Sequence, residues 1–522
     1  MKHVVRCMVL LVVVGLAAVA LAAAPAFAAE LRTTGFIDNV FPRWDSNNSN
    51  ADLDATRNDD QVFFGRTRGR VFFNFIASDD LRGVFALEID QTYGAPANDR
   101  LGSGCIEGTG TFASYDCGFD NGIDNNVIEL KHLYVDFRVP QIPIGNRWRL
   151  GGLPFNLTPL HPTILYGMDA GGGDLNLTFS DQVRLMLYYV QLEEDTDRFI
   201  GSDKIGEDYL TGGTLMLKPL SGLDFHVLGV YNHGHFPFGP SLTSGSGPFS
   251  NVASDTLNVR TESRYYLGFD SRYRIGNTTI EPGFIYLLGT RKFSSASAAV
   301  TGINDTDFNA YQGHLYVYHN TGPWLFGVKA TYASGNAAGD DINNRGVGNR
   351  EDVKGWRFLG VDSSNGLADW FELLGKSDVD GTGNRTFRRS AENALFDRFG
   401  WMQVGGKAEY KYTDRLILVG AAGGFWTAEK TGCPATFRVG STSGPCTGPG
   451  APVNSSGEPA FNFTGDSRFV GWEVNAGLRY TIMPGLTWTH VLAYADYGDA
   501  LSANNRDALD AWAFVNRMIY VF

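Results

Sequence analysis

From residue 30 onward the sequence repeats one unit: a strand, a short turn, a second strand and a long polar loop. The short turns are rich in Gly, Pro, Asn, Asp and Ser and separate runs in which polar and apolar residues alternate, which is the signature of β-hairpins. Eight such turns occur, at 78–80, 139–146, 180–181, 219–222, 276–277, 322–323, 413–414 and 484–485.

The connections between these hairpins are long and rich in Asn, Asp, Gly and Ser. Examples are 42–60, 94–125, 193–207, 234–259, 291–306, 334–396 and 428–466. Eight turns imply sixteen strands, and strands at 30–41 and 509–522 raise the number to about eighteen. Merging the pair around 173–192 would leave sixteen. Short turns on one side and long loops on the other predict an all-β fold, a transmembrane antiparallel up-and-down β-barrel with extracellular loops and periplasmic turns.

The first 28 residues have the pattern of a secretory signal peptide. A positive start, Met1 to Arg6, precedes an uncharged apolar run from Cys7 to Leu21, and Ala26-Phe27-Ala28 predicts cleavage before Ala29. The alternative is a membrane anchor, but the run is shorter than the roughly 20 residues of a spanning helix. We therefore expect a cleaved signal at 1–28 and one barrel at 29–522 in the outer membrane of a Gram-negative bacterium.

Composition and charge restrict the partners. The chain contains 64 Gly, 36 Phe, 22 Tyr and 10 Trp, which suits curved strands with aromatic girdles. Its net charge of −13 argues against nucleic acid. The expected partners are outer-membrane lipid and lipopolysaccharide, the barrel-assembly machinery and small hydrophilic solutes. A homo-oligomer stays an open alternative.

The cysteines fall into two local couples once Cys7 leaves with the signal. Cys105 lies near Cys117, and Cys433 near Cys446, each couple in a loop of an exported chain. Two disulfides are therefore predicted. Metal ligation is the alternative, although neither couple has CxxC spacing or a nearby His.

Strand alternation indicates which side chains face the interior. In 61–77, Arg66, Arg68 and Arg70 share one face, and apolar residues occupy the other. A charge facing lipid near mid-bilayer costs about 2–4 kcal/mol, so this ladder must point inward. The same argument predicts the pore-lining set Arg66, Arg68, Arg70, Glu88, Asp90, Arg147, Arg149, Arg184, Arg264, Asp270, Arg272, Arg274, Lys329, Lys407, Glu409, Lys411, Glu473 and Arg479.

This predicted lining is richer in cations than in carboxylates. Rings of Arg and Lys are the usual basis of anion pores, so the excess favours an anion preference. The alternative is that the arginines pair with carboxylates across the wall and only brace it. Loop 334–396 is long enough to enter the pore, and Leu367, Trp370, Phe371 and Leu374 have helical spacing. This turn either packs on the inner wall and narrows the channel or lies on the surface.

Motifs of catalysis are missing from the sequence. There is no GxSxG, HExxH or Walker-type loop. His233 and His235 are expected in an exposed loop, and Asp378 and Asp380 lack the later ligands of a calcium loop. The sequence therefore predicts no enzyme, no catalytic residue, no metal and no cofactor.

The last strand ends in Phe522, with Tyr520, Met518 and Phe514 on the same face, and resembles the signal read by the barrel-assembly machinery. Over its length the chain resembles Gram-negative outer-membrane porins, including a stretch from Glu129 to Gly152, although the usual Gly-Arg-Gln is absent. Segments 366–372 and 423–428 are similar to the alginate-export-like barrels. The resemblance implies a channel for passive diffusion. The alternatives are a substrate-specific transporter, such as a polysaccharide channel, and a structural barrel around an electron-transfer partner.

Overall fold

The computed structural model describes residues 29–45, 62–63, 65–93, 128–162, 164–193, 208–235, 259–293, 304–337, 352–356, 359, 370–374, 399–432, 437–439, 442–444, 466–502 and 507–522. The signal peptide, the four cysteines of the predicted disulfides, Leu367, Asp378 and Asp380 lie outside these residues. Among the described residues, no helix is long and apolar enough to cross a membrane.

Eighteen strands form the wall. They are β1 Glu30–Asp45, β2 Gly65–Ser78, β3 Leu81–Tyr93, β4 Ile128–Phe137, β5 Gly145–Asn156, β6 Gly167–Ser180, β7 Val183–Glu193, β8 Asp208–Leu217, β9 Leu223–His235, β10 Val259–Ile275, β11 Thr278–Phe293, β12 Asp305–Thr321, β13 Trp324–Ala333, β14 Trp401–Lys411, β15 Leu416–Trp426, β16 Phe469–Met483, β17 Leu486–Tyr497 and β18 Ala511–Val521.

Each strand pairs antiparallel with the next one along the chain, and β1 pairs with both β2 and β18, so the sheet closes. Val62–Phe63 is a two-residue strand beside the end of β1, and Phe437–Val439 pairs with Thr442–Gly444 apart from the wall. The predicted fold class and number of strands are confirmed. All eight predicted turns join neighbouring strands, and β6 and β7 are separate. One expectation was wrong: His233 and His235 end strand β9 rather than lying in a loop.

The seam between β1 and β18 is held by backbone pairing and by one charged pair. The backbone N–H of Gly35 donates to the carbonyl oxygen of Phe522 at 2.9 Å, and the N–H of Phe522 donates back at 3.0 Å. Arg517 donates through Nε and Nη2 to the two carboxylate oxygens of Asp38, at 2.8 and 2.9 Å. Asp38 is buried, so this bidentate pair joins the first and last strands inside the wall.

The two faces of the wall differ in composition. Along β12, Tyr311 and Leu315 are exposed, while the alternate residues Gln312, His314 and Tyr316 are buried. The same alternation leaves large apolar side chains exposed around the wall, for example Ile37, Phe75, Leu133, Leu187, Leu267, Phe326, Val404, Val474 and Leu492. We call the face with these residues the outer face and the alternate one the inner face.

Aromatic rings gather at both ends of the outer face. Near the long loops, Tyr209 packs between Tyr189 and Tyr231, with ring centroids 5.7 and 6.1 Å away. Near the short turns, Trp324 packs on Tyr410 at 4.5 Å. Two aromatic girdles around an apolar band are typical of barrels that sit in a bilayer.

The seam generates the first prediction. Asp38→Asn should lower the free energy of unfolding by about 1.5–3 kcal/mol, because Arg517 loses the carboxylate that accepts its two hydrogen bonds. The measurement is urea unfolding in lipid vesicles, followed by tryptophan fluorescence. Glu30→Gln is the matched control on the same strand, since its pair with Arg32 is exposed on both sides and should contribute little. Equal effects of the two changes would contradict this role of Asp38.

Candidate channel interior

The arginine ladder of β2 lies opposite carboxylates of β3. Arg68 is in register with Asp90, and Arg70 with Glu88. Arg68 Nε donates to Asp90 Oδ1 at 2.6 Å, Arg70 Nε donates to Glu88, and Arg66 is buried. The ladder therefore shares the inner face with the carboxylates that sequence analysis assigned to it, and its members are paired.

The pairing continues around the wall through residues that sequence analysis did not assign. Arg147 and Arg82 both donate to Asp136, and Arg149 donates to Asp174. Further pairs join Arg272 to Glu281, and Arg264 and Arg291 to Glu262. The alternation that located the arginines, extended to β1, β4 and β18, would have located Asp38, Asp136 and Arg517.

Three residues of the predicted lining lie near the short turns. Arg184, Arg274 and Lys411 are exposed. Arg274 binds Asp224 at 2.9 Å, and Lys411 binds Asp414 at 2.7 Å. The hydrogen bond from Lys411 lowers the pKa of Asp414 below its usual value. These residues belong to the mouth of the barrel rather than to the middle of its wall.

A segment that sequence analysis did not single out crosses the inner face. This first inward segment, residues 157–162 and 164–166, follows β5. Thr214 of β8 donates to the carbonyl oxygen of Leu157 at 3.0 Å, and Gln312 of β12 donates to that of Ile164 at 3.2 Å. Leu157, Leu165 and Tyr166 are buried. The segment thus spans the inner face from β8 to β12.

His161 anchors this segment. Its Nδ1 lies 2.6 Å from Asp270 Oδ1 and its Nε2 lies 3.0 Å from Glu281 Oε2. Burial alone lowers the pKa of His161, but the hydrogen bonds to the two carboxylates outweigh burial and raise the pKa to about 9. His161 is therefore an imidazolium that bridges β10 and β11 at neutral pH.

A second inward segment, residues 370–374, packs on β14 to β16. The carboxylate of Glu473 accepts hydrogen bonds from the backbone N–H groups of Glu372, Leu373 and Leu374, at 2.7, 3.0 and 2.6 Å. Asn475 Nδ2 donates to the carbonyl oxygen of Trp370 at 3.2 Å. One wall carboxylate thus satisfies three consecutive backbone donors, which are costly to bury without acceptors.

Two glycines make room for the second segment. Gly405 and Gly423 lie opposite each other on β14 and β15, and a Cβ at either would stand 2.8 or 2.6 Å from the ring of Phe371. Lys329 is fully buried, with its Nζ 5.3 Å from the ring centre of Trp370. Lys329 and Glu473 are therefore covered by the second segment and do not line an open passage.

Beside the second segment is a cavity of about 220 Å³ in the interior. Its lining includes Trp370 together with Lys407, Glu409, Arg479 and Arg517. Glu409 lies between two cations, 3.4 Å from Lys407 Nζ and 3.7 Å from Arg479 Nη1. Three of the predicted lining residues thus meet at one cavity, together with Arg517, which sequence analysis missed.

A closed antiparallel barrel with an apolar outer face, two aromatic girdles and a charged inner face has the organisation of a transmembrane barrel of the outer-membrane type, as predicted.

No known family profile and no curated protein matches the chain. Solved structures with a similar fold include OccAB4 of Acinetobacter baumannii, with a TM-score of 0.48 and 11% identity over 96% of this chain and 100% of that one. The outer membrane protein OpdK of Pseudomonas aeruginosa has a TM-score of 0.48 and 9% identity, over 94% and 99%. OccK8 (OprE) of the same species has 0.48 and 10%, over 95% and 99%. Values this low carry no argument about function.

The contact between Glu473 and the second segment generates the second prediction. Glu473→Ala should speed hydrogen exchange at the amides of residues 372–374. The three amides lose the carboxylate that accepts their hydrogen bonds and become accessible to water. Hydrogen exchange followed by mass spectrometry measures this effect on the barrel in detergent. Glu88→Gln, on strand β3 of the same inner face, is the control and should leave these amides unchanged, because Glu88 pairs with Arg70 and not with the second segment. Unchanged exchange in Glu473→Ala would show that the carboxylate does not hold the segment.

Proposed function

We propose that the chain is an outer-membrane channel for the passive diffusion of small hydrophilic solutes, with a preference for anions. The observation that carries the proposal is that, in six ion pairs of the wall, the carboxylate is buried more deeply than the arginine side chain. In these six wall pairs the arginine side chain retains 17–33% of its exposure, whereas the carboxylate retains only 1–7%. In the pair Arg291–Glu262 both partners are buried, at 5% and 9%. The six pairs are Arg68–Asp90, Arg70–Glu88, Arg147–Asp136, Arg149–Asp174, Arg272–Glu281 and Arg517–Asp38.

A solute inside the barrel would therefore meet guanidinium groups before it meets carboxylates. The pairs are close to neutral in sum, but their dipoles point the positive end at the interior. Electrostatic interactions inside such a confined space are screened less than in bulk water. Charged rings of this kind are the usual source of ion selectivity in pores. The preference arises from orientation of the pairs rather than from unpaired cations.

The second inward segment supports a narrowed channel. Residues 370–374 lie on inner-face residues of β14 to β16, directly beside the cavity that contains Lys407 and Arg479. We propose that loop 334–396 narrows the passage here, so that solutes pass close to these two cations. Narrowing at a charged site increases discrimination between ions, because the hydration shell of the solute is partly replaced by protein groups.

A substrate-specific channel is the second candidate, and the cavity favours it. The cavity combines cations with the apolar side chains of Val419 and Val491 and the ring of Trp370. A few placed polar groups among apolar ones are typical of sites that select one organic solute. Such a channel would conduct small ions weakly and would be blocked by its own substrate, whereas a general porin would conduct in the open state without a preferred solute.

The third prediction tests the channel and its preference in planar bilayers. Under a salt gradient, the reversal potential of the wild type should have the sign of anion selectivity. Arg70→Gln with Arg149→Gln should shift it toward cations, because Glu88 and Asp174 lose the guanidinium that covers them. The matched control is Arg32→Gln, an exposed arginine on β1 that should change nothing.

The outcomes separate the candidates. Absence of conductance from correctly folded protein would overturn the channel and favour a structural barrel. A cation preference in the wild type, or an unchanged reversal potential in the double variant, would overturn the electrostatic account while leaving the channel. Low conductance that a single organic anion blocks would favour the substrate-specific channel.

A further inference from the structure

We propose that His161, Asp270 and His314 form a binding site for a divalent transition metal ion, with Zn²⁺ as the best fit, inside the barrel. The nitrogen and oxygen atoms that these three residues offer all lie within 4.8 Å of one another. Two imidazoles and a carboxylate are zinc ligands, and three protein ligands leave a fourth position open. The sequence shows no metal motif here, because the three residues come from distant parts of the chain.

The ligand atoms of the three residues lie close to one another. Asp270 Oδ1 lies 2.6 Å from His161 Nδ1 and 3.6 Å from His314 Nε2. Within the described part of the chain, Asp270 Oδ2 and His314 Nε2 are buried without a hydrogen-bond partner. Most buried polar atoms in native proteins have one. A bound cation would satisfy both atoms at once and would take the place of the proton between His161 and Asp270.

A second layer of residues supports the first ligand. His161 Nε2 donates to Glu281 Oε2 at 3.0 Å, and Arg272 donates to the other oxygen of Glu281. A carboxylate that accepts the second ring N–H of a ligating histidine fixes its orientation and makes the ligand more basic. With Nε2 held in this way, Nδ1 of His161 is the nitrogen that faces Asp270 and the ion.

The register of the wall assembles the site. His226 of β9 is opposite Asp270 of β10, which is opposite Gly283 of β11, which is opposite His314 of β12. Gly283 is required here, because a Cβ at this position would collide with the ring of His314. The ring thus reaches across β11 to Asp270.

His226 lies next to the site, outside the group of three ligands. It is buried, and its Nδ1 has no hydrogen-bond partner among the described residues. Directly opposed residues of neighbouring strands have Cβ atoms about 4.5–5.5 Å apart, which brings His226 beside Asp270. A bound ion would link the first inward segment, through His161, to wall strands on both sides of β11.

The fourth prediction is stoichiometric zinc binding by the untagged, folded barrel. Isothermal titration with Zn²⁺ should give one site per chain that depends on His161, and Co²⁺ should give the visible absorption bands of a nitrogen-ligated ion. Glu281→Gln should weaken the zinc affinity by about 10–100-fold. His161→Ala and Asp270→Asn each remove a ligand and should weaken the zinc affinity by at least as much. Mg²⁺ should not compete, since it prefers oxygen ligands.

The control is His319→Ala, an exposed histidine on the same strand as His314 that contacts Thr278. It should bind zinc as the wild type does. Folding of each variant is checked by its compact migration in unheated gels. Because His161 lies in a segment outside the wall, His161→Ala tests the site even if a wall variant such as Asp270→Asn fails to fold. Absence of zinc binding by the folded wild type, or equal binding by wild type and His161→Ala, would overturn the proposal.

Discussion

The pairing of β1 with both β2 and β18 is the constraint on which the rest of the structure depends. Closure removes the free edges of the sheet and fixes the register of all eighteen strands. A shift of one residue would move every side chain of a strand to the other face. The position of each arginine, carboxylate and histidine on the inner face therefore follows from how the seam closes, and Asp38 with Arg517 joins that seam from inside.

In six of the inner-face pairs the carboxylate is buried more deeply than the guanidinium group, whereas in Arg291–Glu262 both partners are buried. Asp136 and Asp174 are short and stay close to the backbone, while the arginine side chains opposite them extend toward the interior. Removing one partner would leave a buried charge without compensation, which is strongly destabilising. One set of contacts thus stabilises the wall and, in the function proposed above, turns guanidinium groups toward the interior.

Much of the architecture could be predicted because its signals are local. Turn residues at 276–277 or 484–485 and the alternation around Arg66 act over a few neighbours, so strand number, faces and the arginine ladder follow from sequence. The two inward segments could not be assigned to their contacts in this way. His161 contacts Asp270 and Glu281, which are 109 and 120 residues away, and no sequence pattern near His161 predicts these contacts. Glu473 was assigned to the inner face, but its role as acceptor for residues 372–374 appears only in three dimensions.

The missed carboxylates have a different cause. β6 contains Gly171, Gly172 and Gly173 in succession, so the alternation that identifies an inner face is interrupted just before Asp174. In β4 the pattern is intact, and Asp136 would follow from it. The inner face of a barrel is therefore predictable wherever its outer face is continuously apolar.

Successive residues of each wall strand face water inside the barrel and lipid outside it in turn. Labelling of single cysteines along β2 tests this alternation most directly. Each variant is made with the four loop cysteines changed to serine, inserted in lipid vesicles and treated with a charged, membrane-impermeant thiol reagent. The account predicts labelling at 68, 70 and 74 and protection at 71, 73 and 75, a period of two. Uniform labelling, or labelling of the second set with protection of the first, would contradict it.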